Sequence, residues 1–295
     1  MMQGAADRLW QRSVLGIPYL WLLVFFAAPF LIILRISFAD PLIAQPPYTP
    51  LFDAAGSLQL TLDNYRFLTE DDLYWVSYLK SIQIAAVSTL LCLLLGYPMA
   101  YGIARARGAW RNILLLLVIL PFWTSFLLRV YAWMGMLSTH GMVNSFLLGT
   151  GLIDQPLKML YTDGAVYLGI VYTYLPFMIL PLYATLERLD ADLLDAAADL
   201  GSKPRQVFRD ITLPLSMPGV IAGCMLVFIP ALGEFVIPAL LGGLDTLMIG
   251  KTLYDEFFIN RDWPLAATVA TVLVLLLVLP ITLFQHYQQK DLEQS

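Results

Sequence analysis

Apolar residues in this chain gather into long continuous runs, separated by short polar segments rich in Pro, Gly and charge. A helix that crosses the hydrocarbon core of a bilayer needs about 20 such residues at a rise of about 1.5 Å each. Six runs are long enough: Ile17–Phe38, Ser81–Ala104, Asn112–Met136, Ala165–Leu186, Gly219–Leu241 and Leu265–Phe284. Backbone groups in lipid must find partners within their own segment, and no run alternates as barrel strands do, so each run predicts a helix. The expected fold class is an all-α membrane protein with six transmembrane helices.

The polar segments orient these spans. Arg105, Arg107 and Arg111 fall between the second and third runs; Arg188, Lys203, Arg205 and Arg209 fall between the fourth and fifth. Arg8 and Arg12 precede the first run and Lys290 follows the last. The other set of loops is longer and holds only Arg66, Lys158, Lys251, Arg261 and the boundary residue Lys80. By the excess of Lys and Arg on the inner side, both termini are expected in the cytoplasm. The first external segment carries Pro41, Pro46, Pro47 and Pro50, then Asp63, Glu70, Asp71 and Asp72. That pattern reads as a solvated loop or small helical cap, with an acidic bias whose pull on cations reaches only about 8–10 Å.

Composition narrows the picture further. Of 295 residues 59% are hydrophobic and 13% charged, with a mean hydropathy of +0.72; a soluble domain carries about a quarter charged residues. The net charge of −5 argues against nucleic acid as a partner. Cys92 and Cys224 both lie in apolar runs and read as small buried hydrophobes. With His140 and His286 the only histidines, no metal site is expected. The first run is too long for a signal-peptide core and is expected to stay as a span.

The polar stretch between the fourth and fifth runs is the most informative. From Leu189 it reads Asp190-Ala-Asp192-Leu193-Leu194-Asp195-Ala196-Ala197-Ala198-Asp199-Leu200-Gly201, then Ser202-Lys203-Pro204 and on to Ile211-Thr212-Leu213-Pro214. Asp190 or Asp192 can cap a short helix, Gly201 can end it in a left-handed turn, and Pro204 can open the next one. Leu193, Ala197 and Leu200 recur at helical spacing beside Leu194 and Ala198, an apolar ridge of the kind that docks into a groove of another protein.

The run Asp195-Ala-Ala-x-x-x-Gly201, nine residues, then Ile211-x-Leu213-Pro214 resembles the EAA loop of binding-protein-dependent ABC importer permeases, the MetI-like type I class. Asp195 stands where that class usually has glutamate. The resemblance runs from about Ile17 to Phe284 and is nearest to the putrescine and spermidine permeases. It is carried by Pro121-Phe-Trp123-Thr-Ser-Phe-Leu-Leu-Arg129-Val-Tyr131-Ala-Trp133, Leu152-Ile-Asp154-Gln-Pro156, Leu175-Pro176-Phe177, Gly233-Glu234-Phe235-Val-Ile-Pro238 and Asn260-Arg261-Asp262-Trp263-Pro264. Gly233–Pro238 looks more like the putrescine-system subunit than the spermidine one. The resemblance implies a cytoplasmic segment 1–16, a first helix 17–38, a periplasmic loop 39–78, a type-1 transmembrane domain 79–285 with its EAA loop at 189–214, and a cytoplasmic tail 286–295, in a bacterial inner membrane. It implies a heterodimer with a second related permease, two ATP-binding-cassette ATPase subunits and a periplasmic polyamine-binding protein. Asp195, Ala196, Ala197, Gly201, Leu213 and Pro214 would couple to the ATPases, which use ATP and Mg, while this chain binds no cofactor. Another small organic cation or solute is the alternative cargo.

An ionisable side chain inside a span is costly and so a candidate for function. Glu234 lies about 15 residues into the fifth run, among Pro230, Gly233 and Pro238, which can loosen a helix and free carbonyls. A carboxylate there suits an ammonium group, and Trp123, Tyr131 and Trp133 offer faces for cation–π contact. Arg129 lies about 17 residues into the third run, which in straight helices brings it to the depth of Glu234; the two can instead form a structural ion pair. Gly250-Lys251-Thr252 looks like the end of a phosphate-binding loop, but Asp245 stands where the motif needs its first glycine, and no strand precedes it. A secondary transporter would show two similar halves, and a membrane enzyme would need a clustered catalytic constellation; neither pattern is visible. A purely structural subunit is the remaining rival.

Overall fold

The computed structural model describes residues 14, 16–52 and 56–294, excluding the side chains of 191, 279–281 and 283–294. The expected segment 1–16, with Arg8 and Arg12, therefore falls almost wholly outside the described residues, as does the side chain of Lys290. In chain order the helices are α1 (Gly16–Ile36), α2 (Asp63–Glu70), α3 (Asp72–Arg105), α4 (Ala109–Trp123, closing in a 3-10 turn), α5 (Phe126–Leu137) and α6 (Met142–Gly149). They continue as α7 (Asp163–Glu187), α8 (Ala191–Asp199), α9 (Pro204–Leu232), α10 (Val236–Leu241), α11 (Ile249–Tyr254) and α12 (Trp263–Gln294). Among the described residues, extended pairing is confined to two isolated bridges, Pro41 with Tyr48 and Phe52 with Leu58.

Six transmembrane helices were expected, and among the described residues four to five spans stand out by length and composition. Four helices, α1, α3, α7 and α9, are each long and apolar enough to cross a bilayer. The third run is a bent pair: its two helical arms meet at 91°. Pro121 has no amide to extend α4, which tightens into a 3-10 turn over Leu120–Trp123 and stops at an extended Thr124. Thr124 donates both its amide (3.3 Å) and its hydroxyl (2.8 Å) to the Pro121 carbonyl, so the break does not orphan that group. The fifth run is also interrupted, α9 ending at Leu232 and α10 starting at Val236. The sixth run lies on α12, which is helical from Trp263 to Gln294 and apolar over Trp263–Val278.

The described residues fall into two compact units, the first drawn from Met1–Trp75 and Leu253–Ser295, the second from Val76–Thr252. In the first unit α12 packs against α1 and α2. The junction is a buried polar node. Asn64 donates to the carbonyls of Ser37 (3.2 Å) and Ala39 (2.7 Å), Thr268 donates to the Ser37 carbonyl (3.1 Å), and the Ser37 hydroxyl meets that of Tyr65 at 2.7 Å. The carbonyls left open where α1 ends are thereby partnered. Nearby, Glu256 accepts from the Tyr74 hydroxyl and the Asn260 amide, both at 2.8 Å, and Phe257 stacks on Trp263. Asp262 caps α12 through the Leu265 amide (3.0 Å); burial, seconded by the Glu256 charge, pushes its carboxyl above the ordinary range against that hydrogen bond. Among the described residues none in the most apolar stretch of α1 is buried, so lipid or another subunit must cover much of it.

The second unit is built on α7, the most enclosed of the apolar helices, with Met178, Ile179 and Leu182 at its core. In hydrocarbon the exclusion of water no longer drives helices together, so close backbone approach and dispersion contacts must. Glycines supply that approach. A Cβ on Gly219 of α9 would lie 2.6 Å from Thr185 Oγ1 and 2.9 Å from the Pro181 carbonyl of α7, and one on Gly223 would lie 2.7 Å from Met178 Sδ. One on Gly96 of α3 would meet Met178 at 2.9 Å, and Gly169 of α7 makes the same room for Leu241 and Ile237 of α10. At one end of α7, Asp163 accepts from Lys80 (2.5 Å) and from the Thr246 hydroxyl (2.7 Å), tying α3, α7 and the α10–α11 connection.

Gly219→Val is expected to destabilise the α7–α9 seam by about 1–3 kcal/mol, the usual range for overpacking. Gly102→Ala, where an added Cβ meets nothing within 4 Å, is expected to be neutral or slightly stabilising. Thermal melting of the two purified variants checks the contrast.

Candidate functional site

Two places draw together the residues singled out in the sequence. The first is the segment 189–214. Asp190 caps α8 by accepting the Asp192 amide at 3.0 Å. At the other end the Gly201 amide bonds the Ala198 carbonyl (2.8 Å) and the Ser202 amide bonds the Ala197 carbonyl (3.1 Å), the double bond of a Schellman turn. Gly201 has φ of +83°, where a side chain would be strained. Pro204 then stands at the first position of α9, whose amide would have no helical partner in any case. The expected ridge is divided by the fold: Leu193 and Leu200 are bare, Asp195 and Ala196 are exposed, and Ala197 is buried. Leu194 and Ala198 face a recess shared with Tyr101, Arg105, Val207 and Phe208. Phe208 is edge-on to both Tyr97 and Tyr101 of α3, and the Tyr97 hydroxyl meets that of Ser216 at 2.8 Å. Leu213 is half-buried and Pro214 exposed on α9, just past a π-helical turn at Phe208–Thr212.

The second place is the break between α9 and α10. Glu234 sits inside it, 7% exposed. Its Oε1 accepts from the amides of Phe235 (3.1 Å), Val236 (2.9 Å) and Ile237 (3.4 Å), and Oε2 accepts from the Tyr174 hydroxyl at 2.6 Å. Loosened helix at this position was expected to free carbonyls. What it exposes most directly is N–H groups, the first amides of α10, and the carboxylate partners them with charge-assisted bonds. Gly250 completes the seat: a Cβ there would lie 2.3 Å from the Gly233 carbonyl oxygen and 2.7 Å from that of Glu234. The glycine of Gly250-Lys251-Thr252 is thus explained by close backbone packing against the break.

Glu234 opens on a recess of about 510 Å³ lined by Phe122, Phe126, Arg129, Thr173, Tyr174 and Phe177, with Pro230, Gly233, Phe235 and Val236 from the α9–α10 break itself. The ion pair considered for Arg129 and Glu234 is absent: among the described residues Arg129 has no carboxylate within 4.0 Å. Its guanidinium lies 5.5 Å from the Phe122 ring centre and 5.9 Å from that of Phe126. Its Nε is buried without a hydrogen-bond partner. Such an orphan donor costs about 1–3 kcal/mol, and cation–π contact returns about 0.5–2 kcal/mol, so the guanidinium is held only weakly. Phe122 meets Phe177 edge-on at 5.2 Å, and Phe177 lies 6.1 Å from Tyr174, so rings run without a gap from the guanidinium to the carboxylate.

The three aromatics proposed from the sequence do not line this recess. Trp123 is 72% exposed, Tyr131 is half exposed, and Trp133 packs edge-on against Tyr172 at 5.4 Å. Phe122 and Phe126 reach it because the 91° bend turns the third run out of straight-helix register, while Tyr174 and Phe177 come from α7. The only advance signal for Tyr174 was a hydroxyl inside an apolar run.

The family model for the binding-protein-dependent transport system inner membrane component matches residues 92–294. The chain is 42% identical over 274 residues to the spermidine/putrescine transport system permease protein PotB of Escherichia coli (strain K12), spanning 92% of this chain and 94% of that protein. It is 38% identical over 284 residues to PotB of Haemophilus influenzae, spanning 96% and 94%. The fold is similar to a solved chain of the bacterial alginate ABC transporter in complex with an alginate pentasaccharide-bound periplasmic protein, with a TM-score of 0.74 across 98% of this chain and 97% of that one, at 16% identity.

Glu234→Ala leaves the first amides of α10 and the Tyr174 hydroxyl without their acceptor and is expected to cost several times what Glu234→Gln costs, about 1–3 kcal/mol per orphaned group less whatever water recovers. Thermal unfolding of both variants, with wild type alongside, measures the difference.

Proposed function

The chain belongs to the family of binding-protein-dependent transport system inner membrane components, and on that premise we propose that it is the permease subunit of an ATP-driven polyamine importer, carrying putrescine or spermidine. The observation that carries the cargo is the recess at Glu234: one buried carboxylate at the end of an unbroken set of aromatic faces, the two features that attract an organic ammonium group. The extended identity to PotB, a spermidine/putrescine permease, supports the same cargo.

In this proposal the chain pairs with a second, related permease, and the path runs between them. Two ATP-binding-cassette subunits bind and hydrolyse ATP with Mg, and a periplasmic polyamine-binding protein delivers the cargo. The arginines at 105, 107, 111, 188, 205 and 209, with Lys203, favour a cytoplasmic position for the segment 189–214 and for both termini. The bare Leu193 and Leu200, with exposed Asp195 and Ala196, offer the ATPase a surface to grip. Leu194 and Ala198 share a recess with Phe208 and Tyr101 of α3, so a push on α8 reaches α9 and α3 together. Alternating access follows if that push opens and closes the recess at the far end of α9.

Reconstitution tests the function. Proteoliposomes holding this chain with its partner permease, the ATPase and a loaded binding protein are expected to take up putrescine or spermidine only with ATP and Mg inside reach of the ATPase. Gradient-driven uptake by this chain alone would overturn the importer, and ATP-driven uptake of a different solute would overturn the cargo. Glu234→Gln is expected to lower putrescine uptake at least tenfold while the complex still assembles. Gly201→Val strains the left-handed turn by about 1–2 kcal/mol and is expected to leave ATP hydrolysis running while uptake falls, measured as the ratio of the two rates.

A further inference from the structure

We propose that Arg129 is the resident cation of the Glu234 recess: its guanidinium occupies the aromatic seat that a substrate ammonium takes in transit, and it must leave before cargo can bind. This rests on the polyamine path proposed above.

Three observations meet at this residue. The faces of Phe122 and Phe126, the rings at the far end of the set from Glu234, are already covered by the guanidinium. A second cation cannot use those faces while it stays. Arg129 is also poorly anchored. Among the described residues its side chain makes no ion pair or hydrogen bond, and its Nε–H is buried facing nothing that accepts. Glu234, the one carboxylate lining the recess, accepts four donors from within the chain and makes no ion pair with Arg129.

The third observation is where the two halves of the seat come from. Phe122 belongs to the last turn of α4, whereas Arg129 belongs to the first turn of α5, its amide bonded to the Ser125 carbonyl. The cation–π contact therefore bridges the extended residues Thr124 and Ser125, where the helical arms meet at 91°. A change in that angle carries the guanidinium off Phe122 without disturbing either helix. With Arg129 in place the acid and base lining the recess cancel in formal charge; with it carried off on α5, the recess presents a net negative charge and a free Phe122 face, Phe126 travelling with Arg129. Arg129 thus acts as a tethered substitute for the cargo, closing the resting site to stray cations and making admission of an ammonium depend on the bend.

The test uses the complete transporter in proteoliposomes without ATP, and reads the leak of radiolabelled tetramethylammonium, a permanent cation that lipid excludes. Arg129→Ala is expected to raise this leak at least tenfold, millimolar guanidine to bring it back toward wild type, and Arg129→Lys to fall between. An unchanged leak, or a raised leak that guanidine does not suppress, overturns the proposal. Should Arg129→Ala fail to assemble, Phe126→Leu carries the same question: it keeps apolar bulk but removes one face of the seat, so the leak must rise and guanidine must suppress it poorly. A wild-type leak in Phe126→Leu then overturns the proposal. ATP-driven putrescine uptake by wild type in the same vesicles reports on the cargo separately, because its absence removes the polyamine while leaving the leak comparison valid.

Discussion

A backbone amide that loses its helical partner inside a membrane has no water to bond instead, and must be partnered by the protein itself. In this chain that requirement is concentrated at Gly233–Phe235, where the α9 helix stops and α10 has yet to begin. Glu234 meets it. One carboxylate oxygen serves three successive amides, and the other receives the Tyr174 hydroxyl from α7. An apolar side chain could not accept from them. The break, the inward turn of α10 against Gly169, and the recess in front of it all depend on that carboxylate. A charge whose burial would ordinarily be prohibitive is held here because its partners are fixed dipoles and a hydroxyl.

The same helix that ends at this break begins at the segment proposed to meet the ATPase. From Pro204 to Leu232, at about 1.5 Å per residue, α9 reaches about 40 Å. Its lower part is wedged by Phe208 against Tyr97 and Tyr101 of α3, and its length is seated on α7 through Gly219 and Gly223. Backbones that approach this closely do not slide independently, so α7 and α9 respond to a push as one body. The part joined by non-helical residues without such bonds is α5 beyond Thr124–Ser125, whereas α10 is tied to the break by Glu234. The recess is lined by residues on both sides of both breaks. A displacement that leaves every long helix intact can therefore still open or close it.

Charge is used sparingly within the second unit. Lys80, Asp163 and Thr246 tie helix ends together, and Arg111 pairs with Glu187 where both are partly exposed. Arg129 stands apart, lodged against rings with its Nε unpartnered. Phenylalanine faces hold a cation without fixing its direction, in contrast to the bonds that lock Glu234. The acid side of the recess is rigid and the basic side is loose, an asymmetry suited to a site whose counter-charge is meant to be exchanged.

How much of this could be read in advance follows from how local each feature is. The lengths of the apolar runs determined that helices cross a membrane. Residues 190–204 determined a capped helix, a left-handed glycine and a proline restart, because each of those depends on near neighbours alone. That the carboxylate at 234 must have a built environment was legible too, since an acid in an apolar run demands an explanation. Its partners were not. Depth inferred from a fixed rise per residue presumes straight helices, and the bends at Thr124–Ser125 and Gly233–Phe235 invalidate it, separating Arg129 from Glu234 and exchanging Trp123 for Phe122 at the recess. Those bends are settled by contacts between residues far apart in the chain, such as Gly250 on the Gly233 carbonyl and Tyr174 on Glu234. Only the tertiary structure could decide them, because a helix in lipid breaks where another part of the protein stands ready to take up its unpaired backbone groups.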